Sequence, residues 1–333
     1  MNNAVLRVGI AGVAHGHAHS YIAESRLIAG ASVAGVWDPD AARAQAFATH
    51  YNVPLFADLD ALLQACDTLM IAAENAYHHP IAMAAAATGK PTLCEKPLAT
   101  TVADAHAMVQ AFAAAKVQLG TAFPVRYSPA VRRLRDTVQG GSLGQTLMVR
   151  ATNRGTYPGG WFGDPLLAGG GAVMDHTVHV TDLVRWIWQK EVVEVYAEAA
   201  TRLHDIAVDD CGVMLLTLAD GMVVSLDASW SRPAESYPTW GDVTMEVTAQ
   251  HGIVNLDVFG PRVELYQKTT GRGHWVGHGV NFDGLMIADW LAAVRHDRPA
   301  PISGVDGLRA VQVVDAAYRS AASHQPEAVV DCE

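Results

Sequence analysis

Through the first third of the chain, short apolar runs bounded by glycine, proline or charged residues alternate with segments of helical periodicity. Residues 5–11, 32–37, 68–73, 92–94 and 117–123 are apolar enough to be strands buried on both faces. Between them, Leu59, Leu62, Leu63 and Cys66 mark one face of a short helix. Residues 81–87, closed by Gly89, and residues 103–115 read as alanine-rich helices. Strand and helix in alternation predict a parallel, doubly wound sheet with right-handed crossovers.

From Phe123 the pattern changes. Ser128 caps and Pro129 opens a helix with an apolar face of Val131, Leu134 and Val138, ended by Gly140 and Gly141. Residues 147–152 predict a strand, and residues 153–162 a loop rich in Gly, Tyr and Trp. After a further helix, strands are predicted at 192–201, 210–218, 221–230, 243–248, 253–256 and 262–267, joined by turns such as Ala219, Asp220, Gly221. Helices at 282–294 and 303–322 follow, the second opened by Ser303 with Asp306 three residues on. The expected architecture is α/β: an N-terminal Rossmann doubly wound parallel sheet over residues 1–123, then an α+β domain over 124–333 with a large, mostly antiparallel open sheet.

Composition bounds this picture. Half of the 333 residues are hydrophobic, 17% are charged and the net charge is −11, which suits two globular domains with ample cores. An acidic balance without a Lys/Arg cluster argues against nucleic acid or an anionic membrane as partner. The first residues lack a basic segment followed by an apolar one, and no apolar run approaches the roughly 18 residues of a membrane span. A cytoplasmic location is therefore expected. Cys66, Cys94, Cys211 and Cys332 are widely spaced and read as reduced, mostly buried thiols.

Three stretches carry candidate chemistry. After the first strand, Gly12, Ala14, His15 and Gly16 form a small-residue turn into a helix, an arrangement whose N–H groups face a pyrophosphate. Gly12 and Ala14 stand where the first two glycines of the dinucleotide fingerprint belong, and His17 where the third does. Asp38 ends the next strand, where a carboxylate accepts the ribose hydroxyls of NAD and repels a 2′-phosphate. It predicts NAD, with NADP disfavoured rather than barred; the alternative is a cap for the helix holding Ala41, Ala42 and Ala44. Lys96, before Pro97, lies at the carboxyl end of its strand, where ligands sit in open α/β sheets. The alternative is a solvent-facing lysine in a turn. The Lys96–Pro97 bond is a candidate for the cis form. Finally, Gly169, Gly170 and Gly171 precede a helix on which Asp175, His179, Asp182 and Trp186 fall within about 60° of one another, opposite Val173, Val180, Val184 and Ile187. One face is expected to pack and the other to work. Asp175, four residues before His179, can fix its tautomer, and a neutral imidazole is a suitable general base for alcohol oxidation.

Gly12 with Ala14, Asp38, Asn75 with His78, Gly89 with Lys90, and above all Cys94, Glu95, Lys96, Pro97 resemble the Gfo/Idh/MocA family of NAD(P)-dependent oxidoreductases, named for glucose-fructose oxidoreductase and inositol dehydrogenase. The glycine triplet with Asp175, His179 and Asp182 resembles the family's second motif, Thr177 replacing a glycine. The family's Thr-Pro before the asparagine is Ala73-Glu74 here. The resemblance implies catalysis by Lys96, Asp175 and His179. It implies cofactor contacts from Gly12, Ala14, His15, Asp38, Asn75, His78, Glu95 and Lys96, and substrate contacts from Arg126, Tyr127, Trp161 and Asp182. Asn153, Arg154 and Tyr157 are either further contacts or ordinary loop residues.

The implied activity is hydride transfer between a nicotinamide cofactor and a secondary alcohol or ketone of a sugar, inositol or related polyol, in a homodimer or homotetramer built on the exposed sheet face. Two alternatives stand beside it. A glycosidase using bound NAD transiently would release an aglycone without net NADH. An NAD-dependent sensor without catalysis has no need of Lys96, Asp175 and His179 together. The chain has 15 histidines, and His15, His17, His19, His78, His79, His176 and His179 could converge. None of their pairs has a zinc-ligand spacing with a third partner, so no metal site is expected.

Overall fold

The structure is a computed structural model that describes residues 5–267, 272–277 and 279–330. Cys332 lies outside the described residues; Cys66 and Cys94 are buried free thiols and Cys211 a half-buried one. The elements in chain order are β1 (Leu6–Ala11), α1 (His17–Leu27), β2 (Ala31–Trp37), α2 (Ala41–Tyr51), α3 (Leu59–Ala65), β3 (Thr68–Ile71), α4 (Asn75–Ala87), β4 (Thr92–Cys94), α5 (Val102–Ala115) and β5 (Leu119–Thr121). There follow α6 (Pro129–Gln139), β6 (Thr146–Gly155), α7 (Pro165–Ala168), α8 (Ala172–Trp188), β7 (Val192–Ala200), β8 (Cys211–Leu218), β9 (Val223–Ser229), β10 (Gly241–Ala249) and β11 (Gly252–Asp257). The last are β12 (Arg262–Gln267), β13 (Arg272–Gly277), α9 (Phe282–Arg295), α10 (Gly304–Ser323) and β14 (Glu327–Ala328).

The chain forms two units, Met1–Pro124 with Asn281–Val311, and Val125–Val280 with Gln312–Glu333. In the first, five parallel strands run in the order β2-β1-β3-β4-β5, the doubly wound arrangement expected. Its core gathers Leu62, Leu69, Ile71, Ile81, Met108 and Phe112 from the alternating elements, with Leu308 and Val311 from α10. The return of 281–311 departs from the expected boundary, which gave all of 124–333 to the second domain. Packing explains it: α9 lies along α1, and the buried Trp290 donates its indole N–H to Thr68 Oγ1 at 3.2 Å. Helix α4 starts at Asn75 rather than Ile81 and contains Pro80.

In the second unit, seven strands run in the order β11-β10-β6-β9-β8-β7-β14. All neighbours are antiparallel except β6 with β9. Strand β6 continues to Gly155, so Asn153 and Arg154 are strand residues and not loop residues. Their alternation decides their fate: Val149, Ala151 and Asn153 face inward, while Arg150, Thr152 and Arg154 face out. Strand β13, unanticipated, pairs with β12 in a separate hairpin. Ser303 and Asp306 form the full reciprocal cap, with Asp306 N–H to Ser303 Oγ at 3.2 Å and Ser303 N–H to Asp306 Oδ2 at 3.0 Å. Ser128 does not cap α6; its hydroxyl points to the Val258 carbonyl, 3.5 Å away. Among the described residues no helix is long and apolar enough to cross a membrane.

Candidate active site

The ends of β1, β2 and β3 are stitched together by backbone. Gly12, at φ +79°, donates its N–H to the Trp37 carbonyl at 2.7 Å, and a Cβ added to it would lie 2.4 Å from Ala73 Cα. Only glycine allows both the backbone angle and the close approach. His15 N–H reaches the Ala72 carbonyl at 2.9 Å, and Ala14 lies between these two anchors. At Gly16 the surroundings are open: an added Cβ would meet nothing within 4 Å. The opening N–H groups of α1 have acceptors in the turn: His17 N–H donates to His15 Nδ1 at 3.1 Å, and those of Ala18 and His19 to the His15 and Gly16 carbonyls at 3.0 and 3.2 Å.

Asp38 is more heavily engaged than the sequence suggests. Its Oδ2 accepts from Val13 N–H (2.7 Å) and Arg43 Nε (3.0 Å), and its Oδ1 from Asp40 N–H (2.8 Å) and Arg43 Nη2 (2.7 Å). The cap of α2 is Asp40, which accepts from the N–H groups of Ala42 and Arg43. Asp38 is therefore not the cap of α2, and the carboxylate expected at the ribose also holds a guanidinium. Arg43, which sequence reasoning passed over, also meets Glu74 Oε1 at 2.8 Å.

At the end of β4, Glu95 and Lys96 are buried and the Lys96–Pro97 peptide is cis. Glu95 was expected at the cofactor, but it is wholly enclosed. Its Oε1 accepts from the Tyr21 hydroxyl and faces His17 Nδ1 at 2.8 Å, and its Oε2 accepts from Lys96 N–H at 3.1 Å. Burial opposes ionisation, yet the charges of His17, His15 and Lys96 prevail and hold the Glu95 carboxyl far below the usual carboxylate range. His78, also expected at the cofactor, is an internal brace. It is fully buried, and its Nδ1 lies 2.8 Å from the Pro97 carbonyl and its Nε2 3.2 Å from that of Ala73. Burial keeps its pKa low. Asn75 is buried at the first position of α4.

The histidines depart from expectation in one respect. His15, His17 and Glu95 each bring one ligand-type atom within 4.8 Å of the others, so the fold supplies the third partner that local spacing does not show. Both Glu95 oxygens already accept protein hydrogen bonds, and the Lys96 charge acts on the same group, so an internal ion pair accounts for the cluster. His19 is elsewhere, on Tyr51, and His79 faces Asp104.

The His17–Glu95 pair makes stability depend on pH. Burial works against the His17 cation, but Glu95 outweighs it and raises the His17 pKa above its ordinary 6.5. That contribution is complete below 6.5 and lost as pH rises through the folded value; the Glu95 share is complete above its ordinary 4.5 and lost on acidification. The pair therefore contributes fully between about pH 4.5 and 6.5. We expect His17→Gln to flatten the fall in unfolding temperature on the alkaline side of this window, read by thermal scans from pH 5 to 9. An unchanged profile would remove His17 from the account.

In the second unit, α8 carries the other candidates. A Cβ on Gly171 would lie 1.7 Å from the Asp209 carbonyl oxygen, so the backbone passes too close for any side chain. Asp209 then caps the helix from afar, accepting from Gly171 N–H (3.0 Å) and Val173 N–H (2.7 Å), and is itself held by the Tyr318 hydroxyl at 2.8 Å. Nothing local in sequence marks Asp209 for this role. Asp175 Oδ2 accepts from Trp230 Nε1 at 3.2 Å and faces His176 Nε2 at 3.2 Å, while His176 Nδ1 lies 2.9 Å from the Asn153 carbonyl. Sequence reasoning missed His176 and Trp230 as partners of Asp175. His179 is half-buried, one turn further along.

The expected division of α8 into a packing face and a working face does not hold, since Asp175, His176, Thr177 and Asp182 are all buried. Asp182 is 1% exposed and takes a bidentate grip from Arg126, Nε to Oδ2 at 2.8 Å and Nη2 to Oδ1 at 2.5 Å. Arg126 also lies over the Trp186 ring, and Tyr127 is buried beneath Arg132. Arg126, Tyr127 and Asp182, expected as substrate contacts, are thus engaged with partners inside the unit. Trp161 stacks on Phe162 with ring centroids 3.9 Å apart. Arg154 points to the outer sheet face and pairs with Asp242, and Tyr157 packs beside Trp230.

A parallel sheet with a dinucleotide turn at β1 and a buried lysine ending β4, joined to an open-sheet unit bearing an Asp/His helix, defines a Rossmann-type oxidoreductase. The chain belongs to the Gfo/Idh/MocA family. Residues 6–123 match the family described as an oxidoreductase family with an NAD-binding Rossmann fold, and residues 131–255 match the GFO/IDH/MocA C-terminal domain. An inositol 2-dehydrogenase of Leifsonia xyli subsp. xyli is 30% identical over 234 residues, covering 68% of this chain and 67% of that protein. An inositol 2-dehydrogenase of Acidothermus cellulolyticus is 28% identical over 95% of this chain and 92% of its own length. Among solved structures, GenD2 from gentamicin A biosynthesis, in complex with NAD, superposes with a TM-score of 0.89 at 26% identity, covering 99% of this chain and 97% of that one.

Proposed function

We propose that this enzyme is an NAD-dependent dehydrogenase that oxidises a secondary alcohol of an inositol, sugar or related polyol. The observation that carries the reading is Lys96, buried at the carboxyl end of a parallel strand in the sheet that also carries the dinucleotide turn. Bound NAD supplies the hydride acceptor. The open space at Gly16, in the turn between β1 and α1, suits its pyrophosphate, and the carboxylates of Asp38 and Glu74 favour an unphosphorylated ribose. Lys96 hydrogen-bonds the reacting oxygen and polarises the carbonyl as it forms. His179 takes the hydroxyl proton and Asp175, whose carboxylate also meets His176 Nε2 at 3.2 Å, is assigned to orient it. The names of the relatives support a polyol or sugar as substrate. The test is NADH absorbance when the purified protein and NAD meet a panel of inositols, aldoses and lactones. Absence of any redox change, in either direction and with every member, would refute the proposal.

A homo-oligomer through the outer face of the large sheet belongs to the same reading. That face exposes Met148, Val213, Leu215 and Val223, and holds a cavity of about 630 Å³ lined in part by Arg150, Arg154, Asp227 and Glu246. Apolar surface with both charge signs is self-complementary across a two-fold axis. Val213, 61% exposed, lines that cavity. Val213→Asp is expected to lower the mass seen by light scattering after gel filtration, whereas a monomeric wild type at micromolar concentration would contradict the assembly.

A further inference from the structure

Arg43 spans the topological switch point of the first sheet. It is held at the end of β2 by two hydrogen bonds from Nε and Nη2 to Asp38, and at the end of β3 by Nη2 to Glu74 Oε1 at 2.8 Å, with β1 lying between those strands. Glu74 is 5% exposed, and its other oxygen, Oε2, is buried without a hydrogen-bond partner. A buried carboxylate oxygen that accepts nothing is a cost to the fold.

We propose that Glu74 and Arg43 are specificity-determining residues for the cofactor, with Glu74 holding the guanidinium on Asp38 and away from a ribose 2′-phosphate. The inference rests on the NAD reading above and adds to it the mechanism of the preference. The three side chains sum to one net negative charge, and a phosphate monoester would bring up to two more into contact with them. An arginine free to turn would reverse the preference, because a guanidinium binds phosphate through paired N–H groups. With two carboxylates as partners, Arg43 is not free to turn. Glu74 thus acts on the phosphate both directly, by charge, and indirectly, by tethering Arg43.

The test titrates NADH and NADPH into the protein by fluorescence, with no substrate present, so that its outcome is separate from the question of which alcohol is oxidised. Glu74→Gln is expected to tighten NADPH binding about tenfold while NADH binding changes less than about threefold. Adding Arg43→Ala to Glu74→Gln should abolish the gain, since the phosphate then loses its partner. Glu74→Thr is a second route to the same result, and a thermal scan of each variant reports folding. An unchanged NADPH/NADH ratio in both Glu74 variants would overturn the proposal, as would a gain that survives Arg43→Ala. A wild type that binds neither dinucleotide would overturn the cofactor reading itself, and the inference with it.

Discussion

Replacing His179 by Ala is expected to lower kcat/KM for the alcohol that yields NADH by about 10³-fold, with NADH binding changed only slightly, and Lys96→Ala to lower it at least as much. Hydride cannot leave carbon until the oxygen's proton is being removed, and a positioned base contributes roughly 10² to 10⁴ in rate. Lys96 is buried, and in the proposed reaction it would act on the oxygen without competition from bulk water, a setting in which a charged donor contributes most. Stopped-flow NADH formation gives the rate and fluorescence titration gives the binding. A His179→Ala enzyme within tenfold of wild type would remove His179 as the base.

The second large effect concerns stability. Arg126→Ala or Asp182→Ala removes one partner of a bidentate pair that is 7% and 1% exposed, stranding the other charge in the interior. Each single change is expected to cost about 3–5 kcal/mol in denaturant unfolding. The double change Arg126→Met with Asp182→Leu should recover most of it, because well-packed apolar replacements of a buried pair are often neutral. If Arg126 and Asp182 were instead the substrate contacts that the sequence suggests, the single changes would raise KM and leave the unfolding midpoint near that of wild type.

These cases show where the sequence is legible. The strands of the first sheet and the cap of α10 depend on residues within four positions of one another, and apolar runs and Ser303 with Asp306 three residues on reveal them, whereas the cap of α2 is Asp40 and not Asp38. Lys96 at the end of β4 could be located for the same reason, since Pro97 and the preceding apolar triplet are its immediate neighbours. What the side chains at those places touch was not legible. Arg43 on Asp38 and Glu74, Glu95 beneath His17 and Tyr21, and Arg126 on Asp182 join residues from different elements.

By itself the sequence determined the two architectures, the dinucleotide turn and the positions of Lys96, Asp175 and His179, because backbone periodicity and capping are local. Only the tertiary structure decided that 281–311 returns to the first unit, that Asp209 caps α8, and that His78, Glu95, Arg126 and Asp182 are engaged internally. A buried charge must find an opposite charge or a donor wherever the fold brings one, and that partner is chosen by packing across the chain rather than by distance along it.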